Sequence, residues 1–147
     1  MSTAFKSIVH ALISALADSP ALAGGRVWPN RLRPLPATAA TAVVVRLAGS
    51  GGAEAVLGAL DWATRLAIEC YARGAAGADP ADAADALLSE VWKRLAAIDA
   101  SALGAIAVTV NPAIDWQFDE GETPMACATV HLVVEHRTPV AELAAWP

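Results

Sequence analysis

The sequence has few cysteines, few aromatic residues and no long uncharged stretch. Among its 147 residues, the longest run without an acidic or basic side chain is Ala100 to Ile114, 15 residues. A helix needs about 20 apolar residues to cross a bilayer, so we expect no membrane span. Ten Lys and Arg stand against fifteen Asp and Glu, a net charge of −5. Because affinity for phosphate backbones depends on basic contacts, this balance argues against a nucleic-acid-binding protein.

The residue types that carry enzyme chemistry are also sparse. The two cysteines, Cys70 and Cys127, are not spaced as CxxC and have no histidine at metal-ligand spacing, which predicts buried thiols. The three histidines, His10, His131 and His136, fall on the polar side of a predicted helix and on opposite sides of a predicted strand. We interpret the histidines as surface or edge residues, since they do not converge.

Two short segments could suggest ligand sites, but neither has the required pattern. The Gly49–Gly52 run follows a predicted strand and lacks the lysine of a phosphate-binding loop, so we interpret it as a flexible turn. The acids Asp115, Asp119, Glu120 and Glu122 do not have the spacing of a calcium-binding loop and suit a hairpin tip. We therefore predict no catalytic activity, no metal requirement and no cofactor.

Alanine dominates the residues that are present. Hydrophobic residues make up 56% of the chain, and 36 of the 147 residues are alanine. This composition excludes a disordered chain and predicts a core built largely from small side chains. No internal repeat or linker divides the sequence, so residues 1–147 are expected to form one domain, with 138–147 as a tail on its surface.

A first amphipathic helix is predicted from an N-cap at Ser2 or Thr3 to about Asp18. Its apolar face recurs at helical spacing and consists of Phe5, Ile8, Val9, Leu12 and Leu16. The uncharged stretch 7–17 with its Ala-Leu-Ala triplet is similar to a secretory signal, but a signal core has no need of the polar face on which His10 lies. We therefore expect a docked helix in a cytoplasmic protein.

A second helix is predicted over Ala81–Ile98, with Asp79 as its cap and Pro80 at the first helical position. Its buried stripe consists of Ala84, Leu87, Leu88, Val91, Leu95 and Ile98. Extended segments are predicted at 26–29, 41–48, 62–73, 105–118 with a kink at Asn111-Pro112, and 126–137. The order α-β-β-β-α-β-β predicts an α+β fold, in which both helices pack on one face of a mainly antiparallel sheet of four to five strands.

Opposite charges are concentrated in two segments. Residues 19–53 contain four arginines and no acid, whereas residues 115–122 contain four acids and no base. The two segments could meet within one subunit or simply face water; alternatively, they meet across a subunit boundary and orient assembly. The stretches Asn30–Ala40 and Gly49–Leu60 have few large side chains, so we expect both to be mobile loops that neighbouring subunits order.

The order of several local patterns resembles a known family. A short N-terminal helix ends in a small-residue turn and is followed by Gly25–Arg31, a proline-rich arm and a valine-rich strand. The pattern continues through Leu66–Ala72, the capped second helix, the strand ending at Ile114–Trp116, and Val133–Thr138. Over nearly the whole chain, these patterns resemble the tail terminator family of long-tailed bacteriophages and prophages, also called tail completion or minor tail proteins.

The resemblance implies a non-enzymatic protein of the virion. Such a protein assembles as a ring, commonly a hexamer, on the finished tail tube protein, stops tube polymerisation and presents a surface to the head completion or neck proteins. DNA would pass through the ring without specific binding, and the protein would be found at the head-proximal end of the tail and, during assembly, in the host cytoplasm. The family has no active-site signature that could be transferred to this chain.

The contact residues are therefore chosen from the charge and the apolar side chains of this sequence. The predicted subunit or tail-tube interface consists of Arg26, Arg31, Leu32, Arg33, Leu35, Val56, Leu57, Asp119, Glu120 and Glu122. Three other functions stay open at the level of sequence. They are a small oligomeric ligand-binding or regulatory domain, another head-tail joining protein, and a metal-dependent hydrolase that uses the acidic cluster and His131.

Overall fold

The computed structural model describes residues 2–17, 21–30, 39–74, 78–119 and 124–147. The longer elements, in chain order, are α1 (Ala4–Ala17), β1 (Val27–Pro29), β2 (Thr41–Val56), β3 (Ala59–Arg73), α2 (Pro80–Ala96), β4 (Ala107–Asp119) and β5 (Met125–Pro139). Two single-turn 3-10 helices lie at Leu22–Gly25 and Ala100–Leu103. The predicted α+β class and the predicted element order are therefore confirmed.

The five strands form one sheet in the order β1-β2-β3-β5-β4. β1 runs parallel to β2, and every other neighbouring pair is antiparallel. Both helices cover the same face of this sheet, and their apolar stripes and the alternate strand residues form one core. The largest wholly buried side chains of that core include Leu12 and Leu16 of α1, Leu95 of α2, and Leu66, Ile68 and Leu132 of the sheet.

The helix starts follow the predicted capping chemistry. The Thr3 hydroxyl accepts a hydrogen bond from the Lys6 amide at 3.4 Å, so Thr3 caps α1. The Asp79 carboxylate accepts from the Ala81 amide at 2.9 Å, and Pro80 occupies the first position of α2, where its missing N–H costs no helical bond. Both caps satisfy backbone donors that the first turn of a helix leaves free.

The expectation that Gly49–Leu60 forms a mobile loop is wrong. β2 runs through the glycines to Val56 and pairs with β3, and the reversal is made at Leu57 and Gly58, where Gly58 has φ +82°. A bulge after Leu47 keeps the two strands paired. The glycine run belongs to a strand because the partner strand covers it: a Cβ on Gly52 would lie 2.7 Å from the Trp62 ring.

In the β4–β5 pair, one predicted detail is confirmed and one predicted boundary is wrong. The kink predicted at Asn111-Pro112 is confirmed as a register shift between Asn111 and Ile114. β5 extends to Pro139, so the surface segment begins at Val140 rather than at Thr138. This segment folds back on the domain, since the Trp146 amide donates to the Arg137 carbonyl at 3.1 Å. No helix within the described ranges is long and apolar enough to span a membrane.

Candidate functional site

The outer edge of β4 exposes large apolar side chains. Every residue of β4 from Asn111 onward is exposed, and Ile114, Trp116 and Phe118 retain 38%, 39% and 59% of their accessible surface. These three residues pair with buried positions of β5, so they lie on the helix-covered face of the sheet, beyond the area that α2 covers. The Trp116 and Phe118 rings stack with centroids 6.1 Å apart. We call this surface, Ile114–Asp119, the β4 edge.

A groove separates the β4 edge from α2. Leu88 and Trp92 of α2 form its apolar wall, Asp85 and Lys93 lie at its rim, and Ile114 forms the opposite side. The groove has a volume of about 340 Å³ and is open to solvent. It arises because α2 packs over β3 and β5 rather than over the outermost strand.

A second exposed apolar surface lies where the chain reverses between β2 and β3. Leu57 at the tip of the β2–β3 hairpin is 96% exposed, and Val56 beside it is also exposed. The chain after β5 adds Val140 to this surface, because its amide is bonded to Gly58. We call Val56, Leu57 and Val140 the hairpin tip.

Two of the charged residues chosen from the sequence, Arg26 and Asp119, are described, and they lie on opposite edges of the sheet. The Arg26 guanidinium donates to the carbonyl and hydroxyl oxygens of Thr41 at 2.6 and 3.4 Å, which ties the start of β1 to β2. Asp119 ends β4 on the opposite edge, with β2, β3 and β5 in between. Arg26 and Asp119 therefore do not meet within the subunit.

The remaining sequence-predicted contacts divide into two groups. Val56 and Leu57 are described and exposed, as a contact surface requires. The others lie outside the described residues and consist of Arg31, Leu32, Arg33, Leu35, Glu120 and Glu122. Sequence reasoning missed the β4 edge, although Ile114, Trp116 and Phe118 alternate with polar residues in the sequence.

Ion pairs occupy the sheet face that the helices leave open. The Arg46 guanidinium binds the Glu69 carboxylate, which also accepts from the Tyr71 hydroxyl at 2.9 Å. Burial and this carboxylate raise the pKa of Tyr71, which keeps the phenol protonated. Arg137 makes a two-pronged contact with Asp61 at 2.5 and 3.0 Å and lowers the pKa of that carboxyl. These groups stabilise each other across strands, and none of the five side chains is an activated nucleophile.

His136 is buried, and the expectation of a surface or edge histidine is wrong at this position. Its side chain falls in phase with the inward positions of β5, so the alternation of that strand already carried the signal. The Nε2 atom lies 2.7 Å from the Thr64 hydroxyl, which lies 2.8 Å from the Ser50 hydroxyl. Burial lowers the pKa of His136. Because Thr64 separates the imidazole from Ser50, these three side chains cannot act as a serine–histidine pair.

Neither cysteines nor acids assemble a reactive centre in the described part of the chain. Cys70 and Cys127 are both buried free thiols, as predicted, and burial raises the pKa of Cys70 to about 12. Within the described ranges, no three His, Cys, Asp or Glu side chains are grouped as a metal site requires. His131 binds Asp115 at 2.6 Å on the exposed edge of the sheet.

Searches for relatives add no assignment. No protein-family model matches the sequence, and no curated protein matches it. The function has to be inferred from the exposed surfaces of the described residues, among them the β4 edge with its two stacked aromatic rings.

Proposed function

We propose that this chain is a structural protein of bacteriophage or prophage tail assembly, a tail terminator that caps the tail tube as a ring. In this role it ends tube polymerisation and offers a surface for head joining. The observation that carries the proposal is the β4 edge, which exposes Ile114, Trp116 and Phe118 on an outermost strand.

The β4 edge supports assembly because isolated proteins protect their outer strands. Charge, proline, bulges or a covering element normally block the free edge of a sheet. Pro112 and the bulge lie between Asn111 and Ile114, whereas Ile114–Asp119 pairs regularly with β5 and presents stacked aromatic rings to solvent beside the carboxylates of Asp115 and Asp119. Exposed apolar patches of this kind mark interaction surfaces.

A second, separate surface supports a ring that also contacts another component. The hairpin tip lies at one end of strands that are 15 and 16 residues long, whereas the β4 edge lies along the side of the sheet. If neighbouring subunits contact each other through the β4 edge, the hairpin tip stays available at one end of the ring. There it would contact the tail tube or a neck protein. The resemblance described above supports this arrangement, with a hexamer as the ring size that it implies.

Net charge is compatible with the passage of DNA. The chain carries −5 at neutral pH, and Arg46, Arg137 and Lys93 are each paired with a carboxylate. Since binding to phosphates depends on available basic groups, a ring of such subunits would let DNA pass without holding it. The proposed location is the head-proximal end of the tail, with assembly in the host cytoplasm.

Deletion of the gene from the phage or prophage that carries it tests the proposal. Electron microscopy should show tails of uncontrolled length that do not join heads, and the wild-type gene supplied in trans should restore normal tails. Tails of normal length that fail to join heads would instead indicate a neck protein. Normal virions would contradict any role in the tail and would direct attention to a ligand-binding domain.

A matched pair of variants links the phenotype to the β4 edge. Phe118→Ser removes an exposed ring from the edge and should abolish complementation while the melting temperature stays unchanged. His10→Ser, on the exposed side of α1, is the control and should complement fully. Full complementation by Phe118→Ser and by Trp116→Ser would remove the β4 edge from the functional surface.

A further inference from the structure

Three unbroken rows of paired residues cross the sheet from β4 to β1. The rows are Ile114–Val130–Ile68–Val45–Pro29, Asp115–Thr129–Glu69–Val44–Trp28 and Trp116–Ala128–Cys70–Val43–Val27. The β4 edge and β1 therefore lie at the same height along the strands, on the two opposite edges of one sheet. Among the described residues, β2 is the only strand that pairs with β1, and β5 is the only strand that pairs with β4.

The directions of the two edge strands are opposite. β1 is parallel to β2, and three antiparallel pairings separate β2 from β4. When copies of the chain are related by rotation about an axis parallel to the strands, the β4 edge of one copy meets β1 of the next at the same height. The strands then run antiparallel, and a head-to-tail contact of this kind forms a ring when the rotation between neighbours closes.

The charges of the two edges are complementary. Arg26 precedes β1 and, within the described part of the chain, binds Thr41 and has no carboxylate partner. Asp115 and Asp119 lie on β4, where the Asp115 carboxylate also binds the His131 ring at 2.6 Å. A two-fold contact between two β4 edges would bring these acids together, which disfavours it. Contact with the β1 edge brings opposite charges together instead.

The shapes of the two edges also suit each other. The β4 edge carries bulky Trp116 and Phe118, whereas the segment that leads into β1 exposes Ala21, Gly24 and Gly25. No atom lies within 4 Å of the position that a Cβ on Gly25 would occupy, so the surface there is open. The small residues of this segment leave room for the aromatic rings of a neighbour.

We propose that the β4 edge of each subunit packs edge to edge against β1 and Arg26 of the next copy of the same chain. This contact rests on the proposed function, because it is the lateral contact of the terminator ring. It buries the exposed side chains of β4, neutralises Arg26 and continues the sheet from one subunit to the next.

Engineered cysteines test the contact directly. Ile114→Cys and Pro29→Cys lie at the two ends of one row, and both native residues are exposed. Facing residues of antiparallel strands have Cα atoms about 4.5–5.5 Å apart, a distance that a disulfide spans. Under oxidation, the double variant bound to purified tail tubes should give a covalent ladder up to the ring size. A mixture of the two single variants should stop at dimers.

The controls separate the contact from its alternatives. Ile114→Cys combined with Ala63→Cys, an exposed position in the middle of the open sheet face, should give at least tenfold less cross-linked product. Cross-linking of the Ile114→Cys single variant with itself would show a two-fold β4 contact and overturn the proposal. Hydrogen exchange of the wild-type protein provides a readout that needs no variant, since assembly should slow amides 114–119.

The outcomes also separate this contact from the proposed function. Rings on tails without cross-linking between positions 29 and 114, or without protection of 114–119, would overturn the contact and leave the terminator role in place. Failure to bind tails, together with normal tails in the deletion phage, would overturn both. The ladder with protection supports the contact.

Discussion

Single side chains in this domain are placed by non-local partners more than by their neighbours in sequence. A histidine side chain in water can be charged or neutral near neutral pH. The His136 ring, however, lies between the Thr64 hydroxyl and the Phe5 ring, and the centroids of the Phe5 and His136 rings are 5.2 Å apart. Its Nδ1 atom has no hydrogen-bond partner within the described residues. Protonation would place a charge and a second N–H in that buried position, so the folded state holds the imidazole neutral.

His136 should make stability depend on pH. Burial lowers its pKa in the folded state below the unfolded value of about 6.5, so between these two values only the unfolded state binds the proton. The contribution of His136 to the free energy of unfolding should therefore be at its maximum above about pH 6.5. Below that pH the free energy of unfolding should fall, by at most about 1.4 kcal/mol per pH unit. Urea unfolding from pH 8 to pH 5 measures this slope.

Two variants identify the source of that slope. His136→Asn cannot take up the proton and should flatten the wild-type dependence over this range, whatever its own stability. His10→Asn, at an exposed position, should leave the slope unchanged. An undiminished slope in the His136 variant would assign the effect to other groups.

At the scale of elements, the Gly-rich part of β2 depends on one aromatic side chain. Trp62 covers Gly52 and is held in place, since its indole N–H donates to the Thr138 hydroxyl at 3.0 Å and its ring packs edge to face on Phe5. A strand that is weak by propensity is thus stabilised by a cross-strand ring.

Two glycines of β2 should respond differently to the same change. Gly52→Ala places a methyl group 2.7 Å from the Trp62 ring and should cost about 1–3 kcal/mol, because the ring cannot move freely. Gly51→Ala meets nothing within 4 Å and should change stability by about 0.5 kcal/mol or less. Denaturant titration of both variants checks this, and equal effects would contradict the covering role of Trp62.

The packing of α2 on the sheet gives a second prediction for an element. Leu88→Ala and Ile68→Ala each delete buried volume from the helix-sheet core and should cost about 2–5 kcal/mol. Lys93, at the rim of the groove, pairs with Glu90 in an exposed contact, so Lys93→Ala should cost well under about 1 kcal/mol. Chemical unfolding of the three variants measures the difference, and a neutral Leu88→Ala would contradict the assigned helix face.

The whole molecule shows what local sequence patterns determine and what they leave open. Capping residues and periodicity predicted α1, α2, β3 and the kink in β4 because these signals act within a few residues. The length of β2 could not be read from its glycines, since Trp62 covers them from another strand. Nor could the exposure of Trp116 be predicted, because the position of β4 at the edge follows from the strand order of the whole sheet.

Salt should weaken association of the whole subunit. The proposed contact includes Arg26 facing the acids of β4, and exposed charges are screened beyond about 8 Å at physiological ionic strength. Raising sodium chloride from 0.1 to 0.5 M should therefore raise the dissociation constant of the assembly in sedimentation velocity. Asp115→Asn should reduce this salt dependence, whereas Asp82→Asn, on the exposed side of α2, should not. Salt-independent association would contradict an electrostatic part in the contact.

The seam between β3 and β5 also determines how the domain can fold. β2 with β3, and β4 with β5, are hairpins with local contacts, but the seam joins residues as distant as Ala59 and Pro139 through 15 consecutive pairs. Closing such a long loop is slow compared with forming a hairpin, so we expect joining of the two hairpins to limit the folding rate. Until then the inner strands of both hairpins, β3 and β5, have one unpaired edge each and are free to pair with other chains. Newly synthesised subunits should thus be most prone to aggregate before the seam closes, well before any ring can form.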